Sequence, residues 1–284
     1  MARIIGGITS SHIPAIGIAM DRGLEDTPYW KDFFAGYAPV REWFYAQDPD
    51  IAIIFYNDHG LGFFLDNKPT FAIGAAPVYH NSDEGWGISN IAPVTGETEL
   101  SWHIVNELIE HDFDPSVCQE LKADHAISVP LRLIYPKQDY QHLKVIPIAI
   151  NCERHPMPKP SRCYALGQAI GRAIESYGGG DKVVVFGTGG LSHQLDGERA
   201  GIINADFDIE CMDKLISDPE WLLQYSIEDY VEIAGAQGVE INMWIAMRGA
   251  LPGQVRELHR NYVAPISNTG AGLQLIEHFH RKEP

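Results

Sequence analysis

The chain has 284 residues, of which 45% are hydrophobic, and it carries a formal net charge of −17. This length and hydrophobic share suffice for one sizeable globular core, and the acidic charge argues against nucleic acid and anionic membranes as partners. The four cysteines include no C-x-x-C pair, which argues against a disulfide framework and a structural zinc site.

The first half of the chain alternates strand-like and helical patterns. It begins with a strand rather than a signal peptide, and no run of about 18 apolar residues could span a membrane, so we expect a cytoplasmic protein. In chain order the predicted elements are a strand at 3–8, a helix at 28–47, strands at 51–56 and around Phe71-Ala72-Ile73, and a helix at 97–111. Thr95 or Glu97 is the expected cap of the last helix.

The second half continues the alternation. The predicted elements are strands at 129–134 and 143–150, a helix at 161–177, a strand at 182–187, helices at 200–216, 219–224, 226–234 and 239–249, and a final helix at 271–280. Three glycines at 178–180 are a strong stop signal for the helix before them. The pattern predicts the α/β class, with residues 1–284 forming a single catalytic domain around a mixed central β-sheet flanked by helices.

Three histidines follow directly after strand-like runs. His12 follows the strand at 3–8, His59 follows the strand at 51–56, and His193 follows the strand at 182–187 through a glycine-rich loop. Side chains just past the carboxyl ends of strands line the ligand crevice of open α/β sheets. Taken singly, each histidine has an ordinary alternative as a polar loop or turn residue. Their shared position makes them candidates for one site.

Glu240, near the start of a predicted helix, supplies the carboxylate that a two-histidine, one-carboxylate iron site needs. The alternative is a carboxylate that only stabilises a helix N-terminus. Glu228 and Glu232 compete with it, but their i,i+4 spacing fits a solvated helix face better. Asp58 is a further candidate, either as a ligand or as a carboxylate that orients an imidazole.

Other common catalytic motifs are missing. The glycine-rich loop at 187–193 lacks both G-x-x-x-x-G-K-[ST] and G-x-G-x-x-G, so close backbone approach to a small ligand is a better interpretation than nucleotide binding. The chain has no G-x-S-x-G and no H-E-x-x-H, which disfavours a serine hydrolase and a zincin.

The motifs and their order resemble those of the class III extradiol ring-cleavage dioxygenases, and the resemblance covers essentially the whole chain. The matching segments are Gly7–Pro14, Asn57–His59, Gly187–His193 and Glu240–Asn242 with Trp244. The resemblance implies non-haem Fe(II) held by His12, His59 and Glu240. It also implies His193 as an active-site acid and base and His125 as a second active-site histidine.

The resemblance further implies a small catechol and O₂ as substrates. Within the family the segments are most similar to those of enzymes that cleave protocatechuate at the 4,5 bond, with gallate or another substituted catechol as the alternative. We expect Ser267, before the predicted final helix, to bind the substrate carboxylate, although a plain helix cap is the other interpretation. Asn57 is expected to bind substrate or oxygen, although it could simply form a turn.

The family also suggests a partner. Gallate-cleaving relatives resemble a longer chain with an extra small domain, whereas protocatechuate-cleaving relatives pair the catalytic chain with a small α subunit. Because this chain ends at Pro284, we expect a separate α subunit in a hetero-oligomer.

Two other classes remain open. A zinc-dependent hydrolase or deaminase could use the same three ligands, since zinc accepts two histidines and a glutamate. Alternatively the chain could be an interaction protein, but such a relative would be expected to lack a ligand, and all three positions are filled here.

Overall fold

A computed structural model describes residues 1–140 and 142–279 of the chain. The strands are β1 (Arg3–Ser10), β2 (Ile51–Tyr56), β3 (Phe71–Gly74), β4 (Val78–Asn81), β5 (Val94–Thr95), β6 (Ser116–Cys118), β7 (Lys122–Ala123), β8 (Lys144–Ile150), β9 (Lys182–Thr188), β10 (Val255–Ile266) and β11 (Thr269–His278). The helices are α1 (Pro14–Asp21), α2 (Lys31–Ala35), α3 (Ala38–Gln47), α4 (Thr98–Glu110), α5 (His125–Ile134), α6 (Pro160–Ser176), α7 (Ala205–Ser217), α8 (Ile227–Ala234) and α9 (Ile241–Ala250). Short 3-10 helices cover Pro219–Gln224 and Gly238–Glu240.

The centre of the fold is an eight-stranded mixed sheet in the order β10-β11-β1-β9-β2-β8-β3-β6. The four central strands, β1, β9, β2 and β8, are parallel to one another. An antiparallel hairpin of β10 and β11 extends the sheet beyond β1, and β3 pairs antiparallel with β8. A smaller three-stranded sheet contains β5, β4 and β7.

Alternating side chains of the central strands form two hydrophobic layers. In β2, Ile51, Ile53 and Phe55 point into one core, and Ile54 and Tyr56 point into the other. Helices α4, α6, α7 and α9 cover the first face, and α2, α3 and α5 cover the second. The predicted α/β class with a mixed sheet between helices is therefore confirmed. Across the described residues no helix is long and apolar enough to cross a membrane.

Helices α6 and α9 pack unusually close together. A Cβ atom added at Gly167 would lie 2.0 Å from the carbonyl oxygen of Ala246, and one at Gly171 would lie 2.6 Å from that of Ala250. Gly167→Ala is expected to lower the free energy of unfolding by about 1–3 kcal/mol, because the helices must separate to admit the methyl group. Urea unfolding measures this, with Gly178→Ala as the control because no atom lies within 4 Å of its added Cβ. Equal stability of both variants would contradict the close packing.

The segment predicted as a strand at 129–134 is instead the second half of helix α5. Asp124 caps this helix by accepting a hydrogen bond from the backbone N–H of Ala126 at 2.9 Å. Every residue of α5 is buried, but its polar residues His125, Ser128 and Arg132 recur at helical spacing, and the strand predicted at 129–134 left out the first two of them. The β-branched residues in it favoured a strand, and the cap and tertiary packing determined a helix.

The predicted final helix at 271–280 is also wrong: residues 271–278 belong to strand β11, and residue 280 lies outside the described residues. Ser267 and Asn268 have φ values of 48° and 62° and form the two-residue turn of a hairpin, with Ile266 paired to Thr269. Both faces of β11 are buried, so its sequence lacks the polar and apolar alternation of a half-exposed strand. Ser267 is therefore not followed by a helix.

Smaller differences concern helix boundaries. The predicted helix at 28–47 is divided into α2 and α3 around Gly36, where an added Cβ would collide with the side chain of Asn261. The helix predicted at 200–216 begins at Ala205, where Asn204 caps it. The sequence patterns missed α1, β10 and the four short strands β4, β5, β6 and β7 altogether. Elsewhere the predicted positions agree with the structure, including Glu97 as the cap of α4.

Candidate active site

The candidate site lies at the carboxyl ends of three neighbouring parallel strands. His12 follows β1, His59 follows β2 and His193 follows β9, and these strands are adjacent in the sheet. Glu240 ends the 3-10 helix before α9, on the layer that packs over the same sheet edge. The parallel arrangement therefore brings these four residues together, although the first and the last of them are more than 200 positions apart in the sequence.

Glu240 faces three imidazoles. Its Oε2 lies 3.6 Å from Nε2 of His12 and 3.9 Å from Nε2 of His193, and its Oε1 lies 3.9 Å from Nε2 of His59. These separations are too long for good hydrogen bonds, although the groups face one another in a buried space. Nitrogen and oxygen atoms that converge without hydrogen-bonding to each other are the arrangement expected of ligands around a metal ion.

His12 provides the strongest indication of a metal site. It is buried, and neither of its ring nitrogens has a hydrogen-bond partner among the described residues. Burial lowers the pKa of His12 to about 4, so that the ring is neutral at pH 7. An unpaired buried imidazole is costly unless something else binds it, and a metal ion accepts a neutral imidazole nitrogen.

His59 is oriented by a carboxylate on its other side. Its Nδ1 lies 2.9 Å from Oδ2 of Asp124, which leaves Nε2 directed at Glu240. Burial opposes a charge on this imidazole, but the carboxylates of Asp124 and Glu240 outweigh it and raise the pKa of His59 to about 10. Two buried carboxylates thus attract positive charge to this place, either as a proton on His59 or as a cation between the ligands.

Burial alone would raise the pKa of Glu240, but His12 and His193 next to it hold the pKa well below its usual range, so the carboxylate is ionised. The backbone N–H of Gly190 also donates to its Oε2 at 2.8 Å. A Cβ atom at Gly189 would lie 2.9 Å from that of Glu240, so the glycines allow the loop to approach this carboxylate. The loop glycines were expected to approach a ligand, and in the structure they contact Glu240.

The donor set of His12, His59 and Glu240 fits a divalent metal. Two imidazoles and one carboxylate suit both non-haem Fe(II) and zinc. A different grouping, of His12, His59 and His125, has its ligand atoms all within 4.8 Å of one another. We prefer Glu240 to His125 as the third ligand because its carboxylate faces both His12 and His59 and its negative charge offsets part of the charge of a divalent ion.

Asp124 is a residue whose role the sequence did not predict, although it lies beside His125. Asp124→Asn is expected to weaken metal binding by about 10–100-fold, because losing the carboxylate that orients His59 removes a partner of a metal ligand. Asparagine is itself a good helix cap, so α5 should remain intact. Metal titration of the apoprotein measures the affinity, and circular dichroism measures the fold. Unchanged affinity would show that Asp124 serves only as a cap.

His193 is held in place mainly through its backbone. Its N–H donates to the carbonyl of Ala234 at 2.8 Å, and its carbonyl accepts from the N–H of Gln237 at 3.3 Å. The preceding Ser192 is anchored by Asp208, which accepts from its N–H at 2.8 Å and its hydroxyl at 2.7 Å. The ring itself bonds through Nδ1 to the carbonyl of Leu191 at 3.1 Å. This bond requires a hydrogen on Nδ1, which makes Nε2 the basic nitrogen of the neutral ring.

His125 lies beside His59 and His12. Its ring centroid is 4.0 Å from that of His59 and 5.3 Å from that of His12. Its Nδ1 bonds to the carboxylate of Glu84, a residue from the loop between β4 and β5. The structure therefore gathers all five predicted metal and catalytic residues. Glu84 was not predicted, because nothing in its local sequence links it to a histidine 41 positions away.

The structure assigns other roles to the competing acids. Asp58 accepts hydrogen bonds from four backbone N–H groups between Gly60 and Phe63, so it organises the loop rather than binding a metal. Glu228 and Glu232 lie on an exposed helix face, as expected. Asn57 does not line the cavity described below. Its Nδ2 donates to Glu240 at 3.2 Å and lies 3.2 Å from Nε2 of His59.

A cavity of about 340 Å³ opens above the ligand group, which is an adequate volume for a small aromatic molecule. Its lining consists of His12, Ile13, Pro14, Ala15, Ile18, His59, Trp86, His125, Gly190, His193, Leu195, Gln237, Glu240, Ser267 and Thr269. Apolar side chains from α1 and two loops face the polar group. Ser267 lies at the rim, where the hairpin turn of β10 and β11 places it.

The chain is similar in sequence to several named dioxygenases. The chain is 36% identical over 196 residues to a gallate dioxygenase of Pseudomonas putida, covering 69% of this chain and 57% of that enzyme. It is 26% identical over 277 residues to a 2,3-dihydroxyphenylpropionate/2,3-dihydroxicinnamic acid 1,2-dioxygenase of Xanthobacter autotrophicus, covering 81% of this chain and 86% of that one. A similarly named enzyme of Photorhabdus laumondii is 30% identical over 66% of the chain and 55% of its own length. The chain thus spans little more than half the length of the gallate dioxygenase and of the Photorhabdus laumondii enzyme.

The fold has a solved counterpart in an uncharacterized protein from Escherichia coli K12. That structure superposes with a TM-score of 0.55 at 12% sequence identity, over 97% of this chain and all of the other. At this identity the likeness concerns the fold alone. The family model described as the catalytic LigB subunit of aromatic ring-opening dioxygenase matches residues 6–274. The chain therefore belongs to the LigB family of aromatic ring-opening dioxygenases.

Proposed function

We propose that this chain is the catalytic component of a non-haem Fe(II) extradiol dioxygenase that inserts both atoms of O₂ into a catechol carrying a carboxylate. The observation that carries the proposal is the buried group of His12, His59 and Glu240, in which His12 has no hydrogen-bond partner among the described residues. The family membership supports ring-opening chemistry at that group.

Protocatechuate is the substrate we propose, cleaved at its 4,5 bond to 4-carboxy-2-hydroxymuconate semialdehyde. Gallate is the alternative, because a gallate dioxygenase is among the relatives and gallate also carries a ring carboxylate. Both molecules are small enough for a cavity of about 340 Å³. The hydroxyl of Ser267 at its rim could donate to a carboxylate, whereas the apolar residues of α1 suit the ring.

When bound, Fe(II) on two neutral imidazoles and one carboxylate supplies about one net positive charge and open positions for the two catechol oxygens and O₂. The residues around it do the remaining work. Nε2 of His193 faces the cavity side of Glu240 and is basic, so it can take a proton from a catechol hydroxyl. The same nitrogen can return that proton to an oxygen atom of O₂ as the O–O bond breaks.

His125 also lines the cavity, next to His59. The bond of its Nδ1 to Glu84 fixes the ring and leaves Nε2 for substrate or oxygen. Apolar residues from α1, together with Trp86 and Leu195, limit the water that reaches these groups. Both histidines line the cavity in which a catechol would bind, and we assign one as proton carrier and the other as a hydrogen-bonding group.

The direct test is oxygen uptake. The purified chain, loaded anaerobically with Fe(II), is expected to consume one O₂ per substrate and to prefer protocatechuate to gallate and to plain catechol. Preference for gallate would replace protocatechuate by the alternative substrate. Bound iron with no uptake on any catechol, even with a candidate α subunit, would overturn the dioxygenase proposal.

A small partner subunit is part of the proposal. Trp86 and Leu195 line the cavity yet are 58% and 60% exposed, which is unusual for large apolar side chains beside an active site. A subunit that covers them would close the cavity against water. The family description as a catalytic subunit is consistent with this arrangement.

Ser267→Ala is expected to raise the KM for protocatechuate about tenfold and to leave the KM for plain catechol nearly unchanged, because only the former has a carboxylate to lose a hydrogen bond. Steady-state oxygen uptake with both substrates measures this. Asn268→Gly is the control, since glycine keeps the positive φ of the hairpin turn and Asn268 does not line the cavity. Equal changes for the two substrates would refute the carboxylate role.

The second candidate is a zinc-dependent hydrolase or deaminase that uses the same three ligands. It is favoured only because two histidines and one glutamate bind zinc as well as iron. Metal analysis of the protein purified from its native host, together with oxygen uptake after replacement by zinc, separates the two. Activity with zinc and no O₂ consumption would favour the hydrolase.

A further inference from the structure

Asp208 is a buried carboxylate that bonds to the loop of His193 but does not line the candidate active-site cavity. It is the fourth residue of α7, and only 1% of it is exposed. Its hydrogen-bond partners among the described residues are all uncharged, namely the N–H and hydroxyl of Ser192 and the hydroxyl of Tyr262. A buried carboxylate with only neutral partners contributes little to stability once its desolvation is counted, so its position points to another role.

The start of a helix does not account for this burial. A carboxylate in the first turn of a helix interacts favourably with the helix dipole. Asp206 lies in the same turn of α7 and is exposed, so it supplies that interaction without burying a charge. The carboxylate of Asp208 instead turns toward the loop, where its Oδ1 accepts from the N–H of Ser192 at 2.8 Å and its Oδ2 accepts from the hydroxyl at 2.7 Å.

A single peptide group connects Asp208 to the imidazole of His193. The N–H of Ser192 donates to Asp208, and the carbonyl of Leu191 belongs to the same peptide group. That carbonyl accepts from Nδ1 of His193 at 3.1 Å. Because a trans peptide group is planar, with its N–H and C=O on opposite sides, fixing the N–H also fixes the direction of the carbonyl. The carboxylate therefore sets the direction of the acceptor that orients the imidazole ring.

The same carboxylate joins the loop to the hairpin of β10 and β11. Its Oδ2 accepts a hydrogen bond from the hydroxyl of Tyr262, on β10, at 2.7 Å. A Cβ atom added at Gly270, on β11, would collide with Oδ2 of Asp208 and with the hydroxyl of Tyr262, so only glycine lets the strand pass this close. The N–H of Gly270 donates to the carbonyl of Ser192 at 2.9 Å. The loop and the hairpin that presents Ser267 thus share one anchor.

We propose that Asp208 is a positioning residue for ring cleavage, which acts through the peptide group between Leu191 and Ser192 to hold the imidazole of His193 in its productive orientation. The inference rests on the proposed function, because it takes His193 as the proton carrier of that reaction. Asp208 does not line the cavity, so it takes no part in the proton transfer itself.

Asp208→Asn tests this arrangement. Asparagine has nearly the same shape and can still accept from the N–H of Ser192, but as a weaker, neutral acceptor, and its amide nitrogen cannot accept from the two hydroxyl groups. We expect kcat for protocatechuate to fall about 10–100-fold, because a small misplacement of a catalytic group has effects of this size. Metal content and KM should change little. A rise in KM without a fall in kcat would place the effect on substrate binding and overturn the assignment.

The matched control is Asp206→Asn. It makes the same substitution in the same helical turn, but at an exposed position that does not line the cavity. It should leave kcat, KM and metal content at their native values. A loss of kcat as large as that in Asp208→Asn would show that the charge at the start of α7 matters and not the bond to the loop.

A double-mutant cycle determines whether the effect passes through His193. If Asp208 only positions that imidazole, Asp208→Asn should lower kcat in the native protein and have no further effect in the His193→Ala background. An equal further loss in that background would overturn the proposal, because a general loosening of the fold slows both proteins alike.

Hydrogen exchange separates this inference from the proposed function. Exchange of the backbone amides at 190–194 should become faster in Asp208→Asn and stay unchanged in Asp206→Asn, whether or not the chain cleaves a catechol. Unchanged exchange in Asp208→Asn would overturn the anchoring. Absence of ring cleavage in the native protein would overturn the proposed function and with it the catalytic part of this inference, while exchange would still decide the anchoring.

Tyr262→Phe provides a second variant if Asp208→Asn does not fold. It removes one of the three donors to the carboxylate, and Tyr262 is only partly buried, so the fold should tolerate the change. We expect a smaller loss of kcat that also disappears in the His193→Ala background. A loss that persists there, or a native kcat in Tyr262→Phe, would overturn the proposal.

Discussion

His12→Ala is expected to remove bound metal from the protein and abolish ring cleavage while leaving the fold intact. The affinity for Fe(II) should fall by more than about 100-fold, because losing a ligand costs more than losing a residue that merely orients one. The fold should survive because neither ring nitrogen of His12 bonds to any described residue. Metal content after dialysis against micromolar Fe(II), oxygen uptake and circular dichroism measure the three effects.

The matched control for this variant is His80→Ala. His80 is exposed on β4 and does not line the active-site cavity, so its loss should change neither metal content nor activity. If His12→Ala retains a full complement of iron, His12 is not a ligand. The alternative ligand group of His12, His59 and His125 would then be excluded as well, because it also contains His12. The metal site would have to lie elsewhere in the protein.

The positions of the candidate metal and catalytic residues could be predicted because they depend on short-range signals. His12, His59 and His193 each follow an apolar run that is too short for a helix, and all three runs are strands at the centre of the sheet. Parallel strands bring their carboxyl ends to one edge whatever the order of the strands. The sequence could therefore indicate proximity without indicating which strand pairs with which.

The partners of these residues could not be predicted in the same way. Asp124 orients His59 across 65 positions, and Glu84 bonds to His125 across 41. Neither acid has a local pattern that distinguishes it from the other acidic residues of a strongly acidic chain. The role of each depends on the packing of a loop or helix end against a distant strand, which only the folded structure defines.

The two wrong elements are both almost entirely buried, but they were misread for different reasons. The strand predicted at 129–134 left out His125 and Ser128, which together with Arg132 show helical spacing. Strand β11 is buried on both faces, so its sequence lacks the alternation that identifies a half-exposed strand. The error at β11 changed the interpretation of Ser267, because a helix N-terminus was part of the argument for carboxylate binding. Ser267 still lies at the rim of the cavity, but a hairpin turn and not a helix presents it.

His193→Ala is expected to keep its metal and to lose turnover by about 10²–10⁴-fold, the usual contribution of a general acid and base. The backbone bonds that hold His193 to Ala234 and Gln237 do not involve its side chain, so the loop should keep its shape. Metal analysis and oxygen uptake with protocatechuate measure the two quantities. Loss of iron together with activity would instead make His193 a ligand, which its distance of 3.9 Å from Glu240 would also allow.

A second substitution separates proton transfer from packing. The side-chain amide of His193→Asn could keep the hydrogen bond to the carbonyl of Leu191 that Nδ1 makes in the native protein, but it cannot carry a proton. It should therefore be about as slow as His193→Ala. Added imidazole should restore part of the rate to the alanine variant, because the vacated space lies on the cavity and admits a replacement base. Near-native turnover in His193→Asn would show that the residue orients the loop or substrate, and proton transfer would then have to be assigned to His125.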